Sequence, residues 1–305
     1  MKTSKEMFNP IAKTLDEINL ENDIIETIKN DDTFVQEVIK PLKLSKSEFR
    51  NHLFLFNQSR IEFNNCQNCL GLKKCNNECK GFKMIPSKEF GIIKKKFYPC
   101  LDYLEFKTRL DKFVYKDFED EKNNLFLKDI KTLRDGRRQS LKIVLKEILN
   151  NNLQNWIYIY GDSKSSKTDF LIAFCNEFSK LNRGNIAFID MMSIVEIVKD
   201  VFYKNKEQYE VIMENLINVD LLALDGFNNN IFMNTIIRDQ FITPILKSRS
   251  DNKKITIISS NCDLDELCYF LSMNQFGIKS AEQIISIIDK NKYKKIYKLE
   301  HLRVC

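Results

Sequence analysis

Apolar residues in the first 60 positions of the chain recur at steps of three and four. The residues that follow this spacing are Ile24, Ile25, Ile28, Phe34, Val38 and Ile39. Such spacing is typical of the buried face of an amphipathic helix. Ser45 and Glu48 have the spacing of a capping box, in which each side chain accepts the other residue's backbone N–H at a helix start. The pattern predicts a mainly helical N-terminal region.

In the second half of the chain, short apolar runs alternate with longer helix-like stretches. The strand-like runs are 156–160, 186–189, 221–224, 255–258 and a weaker one at 295–299. Strands that alternate with helices pair in parallel through right-handed crossovers, with helices on both faces of the sheet. We therefore predict an α/β domain with a central parallel sheet. Ligands on such a sheet bind at the carboxyl ends of the strands.

Length and charge suggest where these two regions meet. A chain of 305 residues is long enough for two domains. The charged stretch KDFEDEKNN at 116–124 has the composition of an interdomain linker. We predict a domain at 1–105, a linker at 106–135 and a second domain at 136–305. The net charge of +6 permits contact with nucleic acid without requiring it. No apolar run reaches the length of a membrane span, so we expect a cytoplasmic protein.

Five cysteines lie close together in a polar segment that reads CQNCLGLKKCNNECKGF and ends with a later Tyr-Pro-Cys. A CxxC turn directs two thiolates at one point, and two further sulfurs complete the tetrahedron that Zn²⁺ prefers. Such a closed shell leaves no position for a substrate, so the predicted metal is structural. Unrelated buried thiols are the alternative. The five cysteines are candidates for four ligand positions. We assign Cys66, Cys69 and Cys100 to three of them, and either Cys75 or Cys79 to the fourth.

A phosphate-binding loop is predicted where the run WIYIY leads into GDSKSSKT and then into a helix. In a P-loop, backbone amides and the helix N-terminus hold phosphates, Lys reaches the β and γ phosphates, and Thr binds Mg²⁺. Gly161, Lys167 and Thr168 are at the expected positions. Ser166 replaces the glycine that normally precedes the lysine, and this change predicts strain and low affinity.

Two later strand ends match the partners that a phosphate loop needs. The run 221–224 ends in Asp225, which has the form of a Walker B carboxylate for Mg²⁺, and ITIISSN ends in Asn261, where a polar sensor of the γ phosphate belongs. The residues that we assign to nucleotide binding are Gly161, Asp162, Ser163, Lys164, Ser165, Ser166, Lys167, Thr168, Asp225 and Asn261.

The order of these motifs resembles the DnaI and DnaC family of bacterial helicase loaders. Between Walker B and the sensor strand, that family has a helix of the form RDxxxxPILxxR. The matching residues here are Arg238, Asp239, Pro244, Ile245, Leu246 and Arg249. The cysteine module ahead of the P-loop domain is similar to that of DnaI in particular. The resemblance therefore covers nearly the whole chain.

This resemblance implies an AAA+ P-loop domain preceded by a helical zinc-binding domain that binds the replicative helicase. It implies a primosomal role in the initiation of DNA replication, with ATP and Mg²⁺ as a switch. It also implies an oligomer on the helicase ring and contact with single-stranded DNA. The alternatives are a nucleotide-independent helicase-binding scaffold and an IstB-like transposition helper ATPase, a class that generally lacks the cysteine module.

Departures from the family pattern argue against efficient ATP hydrolysis. Gly226 stands where related ATPases have an acidic residue that polarises the attacking water. The helix AEQIISIIDK after the sensor strand has none of the arginines that the family uses to reach nucleotide. Arg303 is the one candidate for a substitute cation. We expect nucleotide binding with weak or absent turnover.

Overall fold

The structure, a computed structural model, describes residues 15–132, 135–151, 153–227, 234–272 and 277–300. It divides the chain into two compact units, unit 1 at residues 1–107 and unit 2 at residues 108–305. Each unit has a hydrophobic core of its own. No helix of the described segments is long and apolar enough to cross a membrane.

Unit 1 consists of helices and one β-hairpin. Its helices are α1 (Leu15–Lys29), α2 (Asp32–Phe34), α3 (Lys46–Asn51), α4 (Leu53–Gln67) and α5 (Leu101–Leu110), the last of which continues into unit 2. Ile28, Phe34 and Phe56 are fully buried in its core. The predicted capping box is present at the start of α3, because Ser45 Oγ accepts the N–H of Glu48 and the Glu48 carboxylate accepts the N–H of Ser45.

The hairpin of unit 1 was not predicted from the sequence. β1 (Phe82–Glu89) pairs antiparallel with β2 (Ile92–Pro99). One face packs against α4, where the Ser59 hydroxyl donates to the carbonyl of Met84 at 3.0 Å and the N–H of Met84 donates to the Glu62 carboxylate at 2.8 Å. Pairing of the two strands brings the end of β2 back to the start of β1.

Unit 2 contains a six-stranded sheet in which all described pairs are parallel. The strands are β3 (Phe113–Lys116), β4 (Ile157–Gly161), β5 (Ile186–Asp190), β6 (Leu221–Asp225), β7 (Ile255–Ser260) and β8 (Tyr297–Leu299), in the spatial order β3-β5-β6-β7-β4-β8. The predicted α/β fold with a central parallel sheet is therefore confirmed. Five of the six strands coincide with the predicted runs.

Helices cover both faces of this sheet. They are α6 (Gly136–Asn151), α7 (Lys167–Lys180), α8 (Met191–Lys204), α9 (Lys206–Asn218), α10 (Thr243–Asp251), α11 (Leu264–Ser272) and α12 (Ile278–Asn291). Side chains alternate along each strand. Ile157 and Ile159 therefore join α6 and α7 in one core, while Trp156 and Tyr158 join α8 to α12 in the other. Burial on both faces explains the continuous apolar runs in the sequence.

The described residues of the predicted linker at 106–135, which are 106–132 and 135, belong to the folded structure, so the prediction of a linker is corrected there. The segment contributes β3, and Leu127 and Ile130 are buried in the core that includes α7. Its charged run forms a local network, in which Lys116 Nζ donates to Asp120 Oδ1 at 2.6 Å and to Asn123 Oδ1 at 3.2 Å. Part of this charge is therefore paired beside a strand, and the charged composition did not mark a linker.

Candidate nucleotide-binding site

The loop between β4 and α7 begins at a glycine that the sheet itself requires. Gly161 pairs with Leu299 of β8, and a Cβ at position 161 would lie 1.8 Å from the Leu299 carbonyl oxygen. Its φ of +145° also belongs to the region that favours glycine. No other residue fits here without moving β8. The first glycine of the motif therefore has a packing role that is independent of any ligand.

At the other end of the loop, Ser166 adopts the left-handed conformation that the sequence analysis associated with glycine. Its φ is +63° and its ψ is +26°. The residue immediately precedes α7, yet its side chain makes no capping hydrogen bond. The loop therefore keeps a glycine-type shape at a position occupied by serine, and the predicted backbone strain is present.

The ammonium group of Lys167 is directed into the loop. It donates to the carbonyl of Gly161 at 2.6 Å, to that of Asp162 at 2.7 Å and to Ser165 Oγ at 3.2 Å. Burial lowers the pKa of Lys167, and the nearby carboxylates of Asp225 and Asp162 oppose that shift. A buried cation bonded only to neutral oxygens can transfer its donors to phosphate oxygens.

Asp225 at the end of β6 connects the loop to the next strand. Its Oδ2 accepts from Thr168 Oγ1 at 2.8 Å, and its Oδ1 accepts from the Ser259 hydroxyl. Burial raises the pKa of Asp225, and the neighbouring Asp190 carboxylate adds to the shift. Thr168 and Asp225 are thus adjacent at the carboxyl ends of the strands. A hydroxyl and a carboxylate in this arrangement have the donor chemistry that Mg²⁺ prefers.

Ser259 is a functional-site residue that the sequence analysis missed. It is buried on β7 and also accepts the N–H of Gly226 at 2.9 Å, so it holds both residues at the end of β6. The predicted sensor, Asn261, is the first residue after β7, and its side chain is exposed. The signal for Ser259 was the pair of serines that follows Ile257 and Ile258 at the end of the strand.

Gly226, where related ATPases have an acid, has a φ of +75°. A side chain at this position is strained in the observed backbone. Asp162, Ser163 and Lys164 lie on the exposed outer side of the loop, whereas Ser165 is fully buried. The alternative cation Arg303 lies outside the described residues.

The two arginines of the RDQFITPILKSR segment have structural surroundings. Arg249 is fully buried and donates to backbone carbonyls at the end of α9 and at the start of β7. Burial lowers its pKa to about 9, which leaves it charged at pH 7. Arg238 forms a two-bond ion pair with Asp239 and donates to the carbonyl of Leu271 at 2.9 Å. Neither is among the bonded partners of the phosphate loop.

The predicted zinc ligands are all described, and four of their sulfurs accept N–H hydrogen bonds. The four are Cys66, Cys69, Cys75 and Cys100, at nitrogen–sulfur distances of 3.3 to 3.5 Å. Within the described residues, no group of three or more His, Cys, Asp or Glu side chains is close enough to hold one metal ion. Zinc binding therefore stays a prediction.

A parallel sheet with a lysine-bearing loop before α7 and an aspartate at the end of β6 has the architecture of an AAA+ P-loop domain. Among proteins of known function, the chain is 25% identical over 268 residues to the replicative helicase loader DnaI of Bacillus subtilis, a match that covers 85% of this chain and 82% of that protein. The resemblance to DnaI-type loaders is thus confirmed. No protein-family profile matches the chain.

Two solved structures share the fold of a large part of this chain. A crystal structure of DnaI is 21% identical, covers 64% of this chain and 97% of its own, and has a TM-score of 0.51. A Streptococcus pyogenes protein described as a primosome component is 17% identical, covers 64% of this chain and 96% of its own, and has a TM-score of 0.52. These likenesses establish the fold alone.

Proposed function

We propose that this protein is a primosomal helicase loader, which binds the replicative DNA helicase and helps to place it on DNA when replication begins. The observation that carries this proposal is the extent of the match to DnaI. Unit 2 is about two thirds of the chain, so a match over 85% extends well into unit 1. An IstB-like transposition ATPase would share the P-loop domain, but that class generally lacks the cysteine module of unit 1.

In this proposal the two units have different roles in the cytoplasm. Unit 1 contacts the helicase, and unit 2 binds ATP with Mg²⁺ and changes the complex according to its nucleotide state. Several copies assemble on the helicase ring. The division into two compact units, each with its own core, supports such a separation of roles.

Nucleotide binding is supported by three groups that converge at the loop. The Lys167 ammonium would bind the β and γ phosphates, Thr168 and Asp225 would hold Mg²⁺, and the N-terminus of α7 would face the phosphates. Magnesium would supply charge neutralisation of the phosphate oxygens. The left-handed serine and the internal bonds of Lys167 weaken binding, because both must be accommodated when phosphate enters.

Efficient hydrolysis is not part of the proposal. Gly226 has no carboxylate to polarise water, and α12 contains no arginine. Loss of a general base typically removes about 10²-fold or more of rate. Loss of a trans-acting arginine removes roughly a further 10³-fold. The nucleotide therefore acts as a ligand that is bound and released.

A titration with a fluorescent ATP analogue tests the switch. We expect saturable binding that depends on Mg²⁺ and is lost in Lys167→Ala. Lys247→Ala is the control, because Lys247 is an exposed lysine of α10 that lies outside the phosphate loop. Absence of saturable binding by the natural protein would refute the switch and leave a nucleotide-independent scaffold as the function.

Capture of the replicative helicase by the full chain tests the partner. We expect the helicase of the same organism to bind the tagged protein, and expect Lys167→Ala to bind it with an altered dependence on ATP. A protein that binds ATP but not the helicase would contradict the loader assignment. Mass measurement of the captured complex gives the number of copies on the ring.

We further propose that unit 1 holds structural zinc through Cys66, Cys69, Cys75 and Cys100. Backbone or amide N–H donors reach the sulfurs of these four residues, and N–H donors of this kind stabilise thiolates. Among the described contacts, the exposed Cys79 has no such donor. Elemental analysis is expected to find about one zinc per chain in the natural protein and in Cys79→Ser, and much less in Cys75→Ser. Equal zinc in both variants would reject this choice of ligands.

A further inference from the structure

A cavity lies at the amino-terminal edge of the sheet of unit 2. It is bordered by the starts of β6 and β7 and by the ends of α7 and α10, so it is at the opposite edge of the sheet from the phosphate loop. The residues that line it include Gln154, Phe178, Arg183, Asp220, Lys253 and Lys254. Its volume is about 320 Å³, within the range of about 300–1,000 Å³ that is typical of small-molecule sites. The cavity is therefore large enough to hold a small ligand.

The lining of this cavity is net positive. It contains three cations, Arg183, Lys253 and Lys254, and one carboxylate, Asp220, which gives a net charge of +2. Both oxygens of Asp220 are engaged within the fold, because Oδ1 accepts from Lys254 Nζ at 2.6 Å and Oδ2 accepts the N–H of Asn185 at 3.0 Å. The single carboxylate therefore neutralises one cation, and the cavity keeps an excess of positive charge.

Two of the three cations have structural roles. Cations are favoured near the carbonyl groups that end a helix. Arg183 has this role, since its guanidinium donates to the carbonyl of Leu149 in the last turn of α6, and Lys254 has its partner in Asp220. Lys253 is different, because among the described residues its exposed side chain has neither a hydrogen bond nor an ion pair. The fold does not account for this third charge.

The backbone at position 253 is unfavourable for a lysine. α10 ends in a pair of hydrogen bonds, in which the N–H of Lys253 donates to the carbonyl of Ser250 at 3.2 Å and that of Lys254 donates to the carbonyl of Arg249 at 2.9 Å. A helix end of this type has one residue in the left-handed region, where glycine is usual, and Lys253 occupies it with a φ of +53°. Glycine would keep both hydrogen bonds without the strain. Strained residues cluster at functional sites, so the strain at Lys253 points to a role for its side chain.

We infer that this cavity binds a small molecule with a phosphate group, and that the Lys253 ammonium contacts that phosphate. A phosphate ester carries about −1.5 to −2 charges at pH 7, which matches the net charge of the lining. The guanidinium of Arg183 has the planar geometry that suits phosphate oxygens. Phe178 and Ile255 supply an apolar surface for the rest of the ligand. The site is separate from the phosphate loop, and the inference depends on neither ATP binding nor helicase binding.

The test is isothermal titration calorimetry with sodium pyrophosphate, without Mg²⁺ and at constant ionic strength. Lys167→Ala is the starting protein, so that the phosphate loop contributes little. We expect it to bind pyrophosphate at a single class of site. Lys253→Gly in the same background is expected to bind at least about 10-fold more weakly, because a charge-assisted contact is lost. Lys43→Gly is the matched control, since Lys43 is an exposed lysine with a left-handed backbone at the end of a helical turn in unit 1. It is expected to bind within about twofold of the starting protein.

Stability separates a ligand-binding lysine from a structural one. Lys253→Gly in the natural protein is expected to raise the urea midpoint in the absence of ligand, because it relieves the left-handed strain and removes no described side-chain contact. The fluorescence of Trp156, which is buried in unit 2, reports this transition. Pyrophosphate is expected to raise the midpoint of Lys167→Ala and to leave the midpoint of the variant with both substitutions nearly unchanged. A gain of stability together with a loss of binding is a result that a structural lysine does not give.

The inference is overturned if Lys167→Ala binds no pyrophosphate, or if Lys253→Gly binds it as tightly as Lys43→Gly. It is also overturned if Lys253→Gly lowers the urea midpoint, since the lysine would then serve the fold. Citrate tests the class of ligand, and equal affinity for citrate and pyrophosphate would reject a phosphate site. If circular dichroism shows that Lys167→Ala does not fold, the natural protein and Lys253→Gly are compared instead, with the phosphate loop saturated by the fluorescent ATP analogue.

Discussion

Replacing Ser166 by glycine is expected to stabilise unit 2 and to strengthen nucleotide binding. Ser166 has a left-handed backbone at the position where a P-loop normally has glycine. Its hydroxyl makes no capping bond to α7, so its removal sacrifices no hydrogen bond of that kind. The substitution relieves backbone strain without changing the shape of the loop.

The size of the effect follows from two opposing contributions. A left-handed conformation costs a residue other than glycine about 1–2 kcal/mol. Glycine raises the conformational entropy of the unfolded chain, which offsets about 0.4–1 kcal/mol of that relief. We therefore expect a net gain of about 0.5–1 kcal/mol in the free energy of unfolding. Nucleotide affinity is expected to rise as well, because the loop amides can approach phosphate without a Cβ.

Urea unfolding followed by tryptophan fluorescence measures this gain. Trp156 is the single tryptophan of the chain and is buried in unit 2, so its emission reports that unit alone. With a urea dependence of about 1–3 kcal/mol per molar, the midpoint is expected to rise by a few tenths of a molar.

Ser163→Gly is the control for this prediction. Ser163 is exposed in the same loop and is not among the residues with positive φ. The substitution therefore relieves no strain. The greater conformational entropy of glycine in the unfolded chain is expected to lower the free energy of unfolding by about 0.4–1 kcal/mol. If both variants lower the midpoint equally, Ser166 is not strained and the reasoning about the loop is wrong.

Three further substitutions test the surroundings of the site. Gly226→Glu is expected to destabilise unit 2 by about 1–2 kcal/mol, because position 226 has a positive φ. The rate of phosphate release from ATP is expected to stay low in this variant. Gly226→Ala should give the same loss of stability if the backbone is the cause. Asp225→Asn is expected to remove a pH dependence of stability. Because the pKa of Asp225 is raised in the folded protein, the natural protein loses stability as pH rises from about 4 through that pKa. Urea midpoints measured from pH 4 to 8 are expected to vary less with pH in the variant. Arg249→Met is expected to cost about 3 kcal/mol or more, because several buried carbonyls lose their donor, whereas Lys247→Met on the exposed side of α10 should cost under about 0.5 kcal/mol in the same urea assay.

The parallel sheet could be predicted from the sequence because burial on both faces leaves continuous apolar runs. β4 to β7 have that character, and their ends indicated the positions of the phosphate loop and Asp225. β3 escaped prediction, since only four residues form it and a dense run of charges follows. Lys116 binds Asp120 and Asn123 of that run, an arrangement that composition does not reveal.

The hairpin of unit 1 escaped prediction for a different reason. β2 is exposed along seven of its eight residues, so it lacks the alternation that identifies a half-buried strand. Pairing with β1 fixes the place of β2. β1 in turn is held by hydrogen bonds between the backbone of Met84 and the side chains of Ser59 and Glu62 on α4. Contacts between residues more than 20 positions apart decide the structure there, and local patterns do not contain them.

The same reasoning changes what the nucleotide motifs mean. Gly161 is required by the close approach of β8, and Asp225 is bonded to both Thr168 and Ser259. These residues have structural reasons to be present whether or not ATP is hydrolysed, so their presence is weak evidence for turnover. Gly226 also has a backbone reason to be glycine, since its φ is +75°, but it provides no carboxylate to polarise water. The absent group therefore carries more information about the chemistry than the groups that remain, and it favours a bound nucleotide over a hydrolysed one.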